Sequence, residues 1–303
     1  MYCLNDLPEL LNLEAARKNP TSMCRLFHGR GHQWPGLAHV TVDWLPPVAW
    51  ITLFGAEQEK SLQALADYLT DALPHCSSVQ VQQRHNSKAP VTVLRGQQIS
   101  ELVCEEHGLR YQLSLGKNRN TGLFLDMATG RQWVRENSRG KRVLNLFAYT
   151  CGFSVAAVAG GAAHVMNVDM VSAPLSVGRQ NHRLNEHALE RVSFDKLNVF
   201  KSFGRLQRRG PWDLLICDPP TLQKGSVDIA QDYAKIFRRL PKMMAADGEL
   251  LLCLNDPTKG TDWLQSQLAE HAPHYSTIKL LRAPAAFVDA QGKGLTILHC
   301  RPG

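Results

Sequence analysis

Two acidic residues in the second half of the chain each end an apolar, strand-like segment, and both could bind polar groups. Asp169 stands where a carboxylate can accept hydrogen bonds from the two ribose hydroxyls of a nucleoside, and capping the following helix is its alternative role. Asp218 is followed by Pro219 and Pro220, which donate no backbone hydrogen bond and stiffen the loop. One carboxylate beside rigid carbonyl groups suits a planar ligand that carries an amine.

The turn after the segment at 143–147 contains one glycine, Gly152. A glycine there lets the backbone approach a ligand closely, although an ordinary strand–turn–helix joint needs the same residue. The dinucleotide fingerprint G-x-G-x-x-G is absent, which argues against a binding site for a pyrophosphate. Gly152 and Asp169, on neighbouring predicted strands, therefore favour ribose binding and disfavour a nicotinamide dinucleotide.

The eight cysteines are scattered along the chain and include no C-x-x-C pair. We therefore expect neither a zinc site nor a disulfide framework, and we predict no bound metal. Several cysteines lie within apolar runs, as buried free thiols do.

Charge points to the kind of partner. The chain of 303 residues carries 34 lysines and arginines against 27 aspartates and glutamates, a formal net charge of +7, which favours a polyanion. Three groups of basic residues could contact phosphates, with a solvated face as the alternative: Arg17, Lys18, Arg25 and Arg30; Arg205, Arg208 and Arg209; Arg238, Arg239 and Lys242.

No targeting segment is evident in the sequence. The first 25 residues lack an apolar signal-peptide core. No stretch reaches the roughly 18 uninterrupted apolar residues of a membrane helix. We therefore expect a soluble, cytoplasmic protein.

Five apolar segments alternate with segments of helix length from about residue 141 onward, which indicates βαβ units and a parallel sheet covered on both faces. Two further strands follow with no helix between them, so they predict an antiparallel closure of the sheet. The predicted strands lie at 143–147, 164–169, 192–200, 212–218, 249–255, 275–282 and 294–300. The sequence therefore predicts a doubly wound α/β fold with seven strands.

The preceding block is rich in short strands. Its periodicity predicts a helix at 57–73 and a hairpin formed by 99–105 and 109–115. Outside this block, further helices are predicted at 127–136 and 228–244. We predict a small α+β domain over residues 1–116, which could help to seat a nucleic acid, and the doubly wound domain over residues 117–303.

Four runs together resemble a known family. They are TGLFLD at 121–126, NLFAYT at 145–150, Asp169-Met170 and DPPT at 218–221. In this order and spacing they resemble class I S-adenosylmethionine-dependent methyltransferases. Within that class the chain is similar to the bacterial 23S rRNA base methyltransferases, both the cytosine-5 branch and the guanine-N7 branch. The resemblance covers roughly residues 117–258, and the PUA module that often precedes this family's catalytic part is not found.

The resemblance implies roles for named residues. Asp169 would hold the ribose hydroxyls of S-adenosylmethionine, Met170 would lie against its adenine, and Asn198 takes the place of an acid that usually meets the adenine amine. The other cofactor-binding residues would be Leu125, Asp126, Arg131, Phe147, Tyr149, Thr150, Gly152 and Phe153, and the residues facing the transferred methyl and the target base would be Asp218, Pro219, Pro220 and Asn255. Two further departures from the family pattern are Ala128, where a basic residue is usual, and Leu222, where an aromatic residue is common.

The fifth predicted strand separates two chemistries. Methylation of cytosine C5 needs a thiolate that adds to the ring. The cytosine-5 relatives carry that cysteine where this chain has Asn255, and Cys253 lies two positions earlier. An asparagine at 255 matches the guanine-N7 relatives, in which a ring nitrogen attacks directly. Cys253 and Cys217 are each expected to be buried core thiols or, alternatively, a catalytic nucleophile.

We therefore expect an S-adenosylmethionine-dependent methyltransferase that acts on a base of rRNA, with a nitrogen target favoured. The alternatives are a cytosine-5 RNA methyltransferase with a cysteine nucleophile, a small-molecule methyltransferase and a non-catalytic RNA-binding protein. RNA, and large-subunit rRNA in particular, is the expected partner. The sequence leaves the oligomeric state open, a homodimer included.

Overall fold

The computed structural model describes residues 1–220, 229–256, 258–292 and 294–303. The chain forms two compact units: the first unit comprises Met1–Asp126 and Pro284–Gly292, and the second comprises Met127–Ala283 and Lys293–Gly303. We predicted a division between residues 116 and 117. It stays a prediction that residues 1–116 and residues 117–303 are separate folding domains.

Within residues 1–126 the structure has seven strands and three α-helices. The strands are β1 Cys24–His28, β2 Val40–Leu45, β3 Val48–Leu53, β4 Ser78–Gln83, β5 Val91–Gly96, β6 Glu101–Glu106 and β7 Leu109–Ser114, and the helices are α1 Leu7–Leu10, α2 Glu14–Lys18 and α3 Glu59–Ala72. β1 to β5 form one sheet in chain order, whereas β6 and β7 form the predicted hairpin. The small α+β domain is thereby confirmed as an architecture.

Helix α3 covers the five-stranded sheet of the first unit. β3 and β4, which flank this helix in the chain, are parallel, and the other neighbouring strands are antiparallel. Leu62, Leu65 and Leu69 recur at helical spacing along one buried face and pack into the core with Trp44 of β2 and Ile51 of β3.

The described part of the second unit has seven strands and seven α-helices. The strands are β8 Arg142–Leu146, β9 His164–Asp169, β10 Val192–Lys196, β11 Trp212–Cys217, β12 Met244–Leu254, β13 Tyr275–Arg282 and β14 Thr296–Pro302. The helices are α4 Ala128–Asn137, α5 Gly152–Ala159, α6 Ser172–Leu184, α7 Phe203–Arg209, α8 Ile229–Phe237, α9 Leu240–Met243 and α10 Thr261–His271.

The seven strands of the second unit form one sheet in the order β10-β9-β8-β11-β12-β14-β13. The first five strands in this order are parallel, and β14 runs antiparallel between β12 and β13. The predicted doubly wound sheet with an antiparallel closure is confirmed. From β8 the chain adds β9 and β10 on one side of the sheet and then crosses to add β11 and β12 on the other side. A topological switch point therefore lies at the carboxyl ends of β8 and β11.

Two predicted elements end earlier than their apolar pattern suggests. The strand predicted at 192–200 stops at Lys196, because Asn198 caps a 3-10 helix at Val199–Lys201. The helix predicted at 228–244 is interrupted between Phe237 and Leu240. Pro241 lacks a backbone N–H, so it fits only in the first turn of a new helix. Residue 228 lies outside the described residues.

No helix in the part of the chain that the structure describes is both long enough and apolar enough to span a membrane.

Candidate active site

The carboxyl ends of four parallel strands bring several of the predicted site residues to one edge of the sheet. The turn at 147–151 follows β8, Asp169 ends β9, Asp218 follows β11 and Asn255 follows β12. The register places Leu146 beside Val168 and beside Cys217, and Cys217 beside Leu252, so all four strands end at nearly the same level. Open α/β sheets bind their ligands at this edge, next to the switch point.

The turn after β8 has an unusual backbone. Phe147, Tyr149 and Cys151 all adopt positive φ, at 57°, 46° and 62°. Each such residue costs roughly 1 kcal/mol or more, and strain of this kind concentrates where a backbone must meet a ligand. Gly152 itself begins α5. Three non-glycine residues, rather than Gly152, therefore give the turn the backbone conformation that close approach of a ligand would need. The lone glycine in the sequence did not reveal this feature.

Helix α6 holds this turn in place. The side-chain amide of Asn181 donates a hydrogen bond of 3.0 Å to the carbonyl oxygen of Thr150. A Cβ built on Gly178 would lie 2.3 Å from the sulfur of Cys151, so only glycine permits the contact of α6 with the turn. Burial raises the pKa of the Cys151 thiol well above its ordinary value, which keeps the sulfur neutral and unreactive. Sequence reasoning identified neither Asn181 nor Gly178.

Asp169 ties the turn to β9. One carboxylate oxygen accepts the backbone N–H of Tyr149 at 2.9 Å, and the other accepts that of Val171 at 2.9 Å. Helix α6 begins at Ser172 with Val171 as its N-cap residue, so Asp169 does not cap the helix. A carboxylate has about four acceptor positions, so each oxygen can still accept a ribose hydroxyl. The residues at this strand end therefore fit a ribose.

Met170 and Asn198 lie together beyond Asp169. The side chain of Met170 offers apolar surface, since the residue is 44% exposed. The carbonyl oxygen of the Asn198 side chain accepts the N–H groups of Phe200 at 2.9 Å and Lys201 at 3.2 Å, and its amide nitrogen lies 3.7 Å from the sulfur of Met170. Asn198 thus presents its amide, rather than an acidic group, beside Met170. Adenine binding by both residues stays a prediction.

The remaining predicted cofactor residues lie in different surroundings. Phe153, on α5, packs against Gly130 of α4, with ring atoms 3.3 to 3.4 Å from a Cβ built there. Arg131 is almost entirely buried in α4. Leu125 and Asp126 belong to the first unit, in a 3-10 helix at Leu125–Met127. Closure of these residues over a cofactor stays a prediction.

A buried polar chain supports the turn from behind. The side-chain amide of Asn145 on β8 donates to Asn167 on β9 at 2.9 Å, Asn167 donates to the hydroxyl of Ser154 at 2.9 Å, and this hydroxyl lies 2.9 Å from Nε2 of His182. Burial, followed by the nearby His187, lowers the pKa of His182 to about 3. The imidazole is therefore neutral at physiological pH, and it fixes α6 to α5 and β9 without burying a charge.

Tyr233 of α8 connects the two strands that precede Asp218 and Asn255. Its hydroxyl donates to the carbonyl oxygen of Cys253 at 2.6 Å and lies 3.3 Å from that of Cys217. Burial, followed by the neighbouring cysteines, raises the pKa of Tyr233 well above its ordinary value, so the hydroxyl keeps its proton. The sequence pattern placed Tyr233 on an apolar stripe and gave no sign of this hydrogen bond.

The cysteines at this edge are poorly suited to act as nucleophiles. Cys217 and Cys253 are both 0% exposed. Burial, followed by the negative charge of Asp218, raises the pKa of Cys217 far above its ordinary value. A nucleophilic cysteine must form a thiolate, which the surroundings of Cys217 oppose, and the complete burial of Cys253 keeps its sulfur from a substrate. Thr221 and Leu222, which follow Pro220, lie outside the described residues.

Comparison with known proteins agrees with this site. A family model described as S-adenosylmethionine-dependent methyltransferase matches residues 24–301. A ribosomal RNA large subunit methyltransferase I from Erwinia tasmaniensis is 30% identical over 279 residues, which cover 89% of this chain and 69% of the relative. The enzyme of that name from Photobacterium profundum is 33% identical over 226 residues, covering 71% and 57%. The chain thus spans between just over half and about two thirds of the length of these relatives.

Solved structures share the fold. The methyltransferase SMU.776, solved in complex with SAH, superposes with a TM-score of 0.84 at 23% identity, covering 99% of this chain and 82% of that one. A tRNA m1G37 methyltransferase from M. jannaschii gives a TM-score of 0.61 at 13% identity, covering 88% and 77%. The family match extends over most of both units, and the strand-end residues fit a ribose. The chain therefore belongs to the S-adenosylmethionine-dependent methyltransferases, as its four sequence runs predicted, and S-adenosylmethionine is its cofactor.

Proposed function

We propose that this chain methylates a nitrogen of a base in large-subunit rRNA, without a covalent cysteine adduct. The relatives named as large-subunit rRNA methyltransferases support the substrate class. The burial of both thiols at the strand ends, Cys217 and Cys253, is the observation that carries the choice of a nitrogen. Action on bacterial rRNA would place the enzyme in the cytoplasm.

The binding of the cofactor is assigned to the turn after β8 and to the end of β9. Bound S-adenosylmethionine supplies a methyl group on a sulfonium, which a lone pair can attack directly. The backbone at Tyr149, Thr150 and Gly152 would enclose the methionine part, and Asp169 would accept the ribose hydroxyls while keeping its two bonds to the backbone. Because those bonds already fix the carboxylate, little conformational freedom is lost on binding.

The target base would enter beside Asp218. A base within structured RNA is shielded, so the enzyme must unstack it before the reaction. The Asp218 carboxylate and the Pro219 carbonyl would accept hydrogen bonds from an amine on the base edge, and Asn255 would orient the opposite side. Alignment of the base nitrogen with the methyl group would then supply most of the catalysis.

The test measures the transfer of tritiated methyl groups to rRNA from cells that lack the gene, and it compares the wild type with two variants. We expect Asp218→Ala to remove most activity and Cys253→Ala to keep most of it.

Cytosine-5 methylation is the second candidate, since Cys253 lies on β12 only two residues before Asn255. That candidate predicts loss of activity in Cys253→Ala and a covalent complex with RNA containing 5-fluorocytidine, trapped through this thiol. Methyl transfer that does not require RNA would instead indicate a small-molecule enzyme.

A further inference from the structure

Three strands of the first unit end at the same edge of their sheet. β3 and β4 are parallel, with Leu53 beside Gln83. The end of β1 lies level with them, because His28 pairs with Thr41 and the adjacent Val40 pairs with Leu53. The residues that follow these strands in the chain, Arg30, Phe54 and Arg84, are therefore brought together.

The ring of Phe54 is a platform for two arginines. The guanidinium carbon of Arg30 lies 4.5 Å from the ring centroid, and that of Arg84 lies 5.3 Å from it. Arginine stacked on an aromatic face keeps its N–H groups at the rim of the guanidinium, where they can still bond an anion. The stacking therefore orients both side chains without using their hydrogen-bond donors.

Hydrogen bonds hold a third arginine, Arg119, at the same edge. Arg119 donates to the carbonyl oxygens of Asn86 and Ser87, at 3.5 and 3.4 Å, in the loop after β4. Arg84 donates to the side-chain oxygen of Asn120 at 3.3 Å. These bonds connect the loop at 116–120 to the end of β4, so the position of Arg119 relative to Arg84 is fixed.

The backbone that presents Arg30 is also fixed. A Cβ on Gly29 would lie 1.8 Å from the carbonyl oxygen of Leu37, and one on Gly31 would lie 1.8 Å from that of Val288. The carbonyl oxygen of Gly31 also accepts the N–H of Ala290 at 2.8 Å. Arg30 therefore projects, exposed, from a turn that is packed on both sides.

The positive charges of this cluster are not neutralised within the first unit. Elsewhere in that unit Arg25 pairs with Asp43, and Arg95 pairs with Asp67, each at 2.5 Å. Among the described residues, by contrast, no carboxylate forms an ion pair with Arg30, Arg84 or Arg119, and Nε of Arg84 is buried without a hydrogen-bond partner. Burial, followed by the nearby Arg119 and Arg30, lowers the pKa of Arg84, as expected where cations crowd together.

We propose that Arg30 and Arg84, stacked on Phe54, together with Arg119 in the adjacent loop, bind phosphate groups of the RNA backbone. The inference rests on RNA being the substrate, and it adds a site on the first unit that holds RNA by its backbone, independently of sequence. A guanidinium matches the geometry of a phosphate, and an array of guanidiniums held on one edge suits a chain of phosphates better than a single small anion.

The experiment measures binding of a fluorescein-labelled fragment of 23S rRNA to the full chain over a series of salt concentrations. The main variant is Arg30→Gln with Arg119→Gln, because both side chains are exposed and their loss should leave the fold intact. We expect affinity to fall roughly tenfold at low salt, and the slope of log K against log salt to become shallower by about 0.7 for each lost phosphate contact.

Arg95→Gln is the control for location. It removes one positive charge from the first unit, against two in the double variant, and Arg95 on β5 lies beside Val79, near the start of β4 and at the opposite end of the sheet. Equal RNA affinity and equal salt slope in the double variant and in Arg95→Gln would overturn the inference. Loss of binding to anionic vesicles of phosphatidylglycerol, with RNA binding unchanged, would also overturn it and would reassign the cluster to a lipid surface.

Two readouts on the same proteins separate this inference from the proposed function. Binding of S-adenosylhomocysteine by calorimetry should be the same in all three proteins, because none of the substituted arginines is among the predicted cofactor-binding residues. If the wild type methylates rRNA and the double variant binds RNA as tightly as wild type, the inference fails while the proposed function stands. If the wild type binds S-adenosylhomocysteine but neither binds nor methylates RNA, both fail.

Discussion

The hydroxyl of Tyr233 donates a hydrogen bond of 2.6 Å to the backbone carbonyl of Cys253, within a site that is fully buried. The same oxygen lies 3.3 Å from the carbonyl of Cys217. One side chain on α8 therefore fixes the end of β12, two residues before Asn255, relative to the end of β11, one residue before Asp218. The distance between two groups that would hold the base therefore depends on a side chain that bonds the backbone one and two residues before them.

Tyr233→Phe tests this connection. The change leaves a buried carbonyl without its donor, which should lower the free energy of unfolding by about 1–3 kcal/mol, measured with urea. We also expect kcat for rRNA methylation to fall several-fold while KM for S-adenosylmethionine stays unchanged. Tyr275→Phe is the control, since Tyr275 is similarly buried on β13, and its hydroxyl makes no hydrogen bond within the described residues. Equal kinetics in the two variants would show that Tyr233 serves only stability.

Asp169→Ala tests the assignment of the ribose. It removes the acceptor proposed for the hydroxyls and also releases the N–H groups of Tyr149 and Val171, so calorimetry should show S-adenosylhomocysteine binding weakened by about 1–3 kcal/mol. Asp213→Ala is a matched control, because that carboxylate also accepts a backbone N–H, from Arg142 at 2.7 Å, at the opposite edge of the sheet. The assignment is contradicted by unchanged affinity in Asp169→Ala.

Gly178→Ala should disturb the turn after β8 from outside the site. The added methyl would overlap the sulfur of Cys151, so we expect a loss of about 1–3 kcal/mol of stability together with weaker binding of S-adenosylhomocysteine. Gly204→Ala provides the contrast: on α7 the new Cβ meets only the end of Arg208, at 3.6 Å. Replacing glycine within a helix should there stabilise the protein by up to about 1 kcal/mol. The proposed contact is disproved if both variants bind the ligand and unfold alike.

His182 should make stability depend on pH. Its pKa is about 3 in the folded protein against an ordinary value of 6.5, so between these values the unfolded chain binds a proton that the folded chain does not. The free energy of unfolding contributed by His182 is therefore fully present above pH 6.5 and falls as pH drops toward 3. His182→Gln should reduce the slope in this window by up to about 1.4 kcal/mol per pH unit. An unchanged slope, with the exposed His32→Gln as control, would mean that His182 takes up its proton in the folded state.

The periodicity of the sequence was sufficient to predict the sheet of the second unit, because buried parallel strands read as apolar runs and their ends carry the polar residues. The ends of β9 and β11, and with them Asp169 and Asp218, follow directly from that pattern. Local chemistry overrode periodicity at Asn198, where a side-chain cap ends the third strand early, and at Pro241, which divides a predicted helix.

Contacts between elements distant in the chain could not be predicted from periodicity. Gly178 reads as an ordinary position in a helix, and its function depends on the sulfur of Cys151 on another element. Tyr233 reads as part of an apolar stripe, because burial says nothing about where a hydroxyl finds its acceptor. Residues 284–292 carry no signal that they pack with the first unit, where Phe287 lies under the guanidinium of Arg25 at 4.6 Å.

The identity of the methylated nucleoside decides between methylation of a base nitrogen and methylation of cytosine C5. Large-subunit rRNA from cells that lack the gene is treated with the purified protein and labelled S-adenosylmethionine, digested to nucleosides and analysed by mass spectrometry. We predict one labelled nucleoside carrying the methyl group on a base nitrogen, formed equally well by Cys253→Ala and Cys217→Ala. Labelled 5-methylcytidine whose formation is lost in one of these cysteine variants would contradict it.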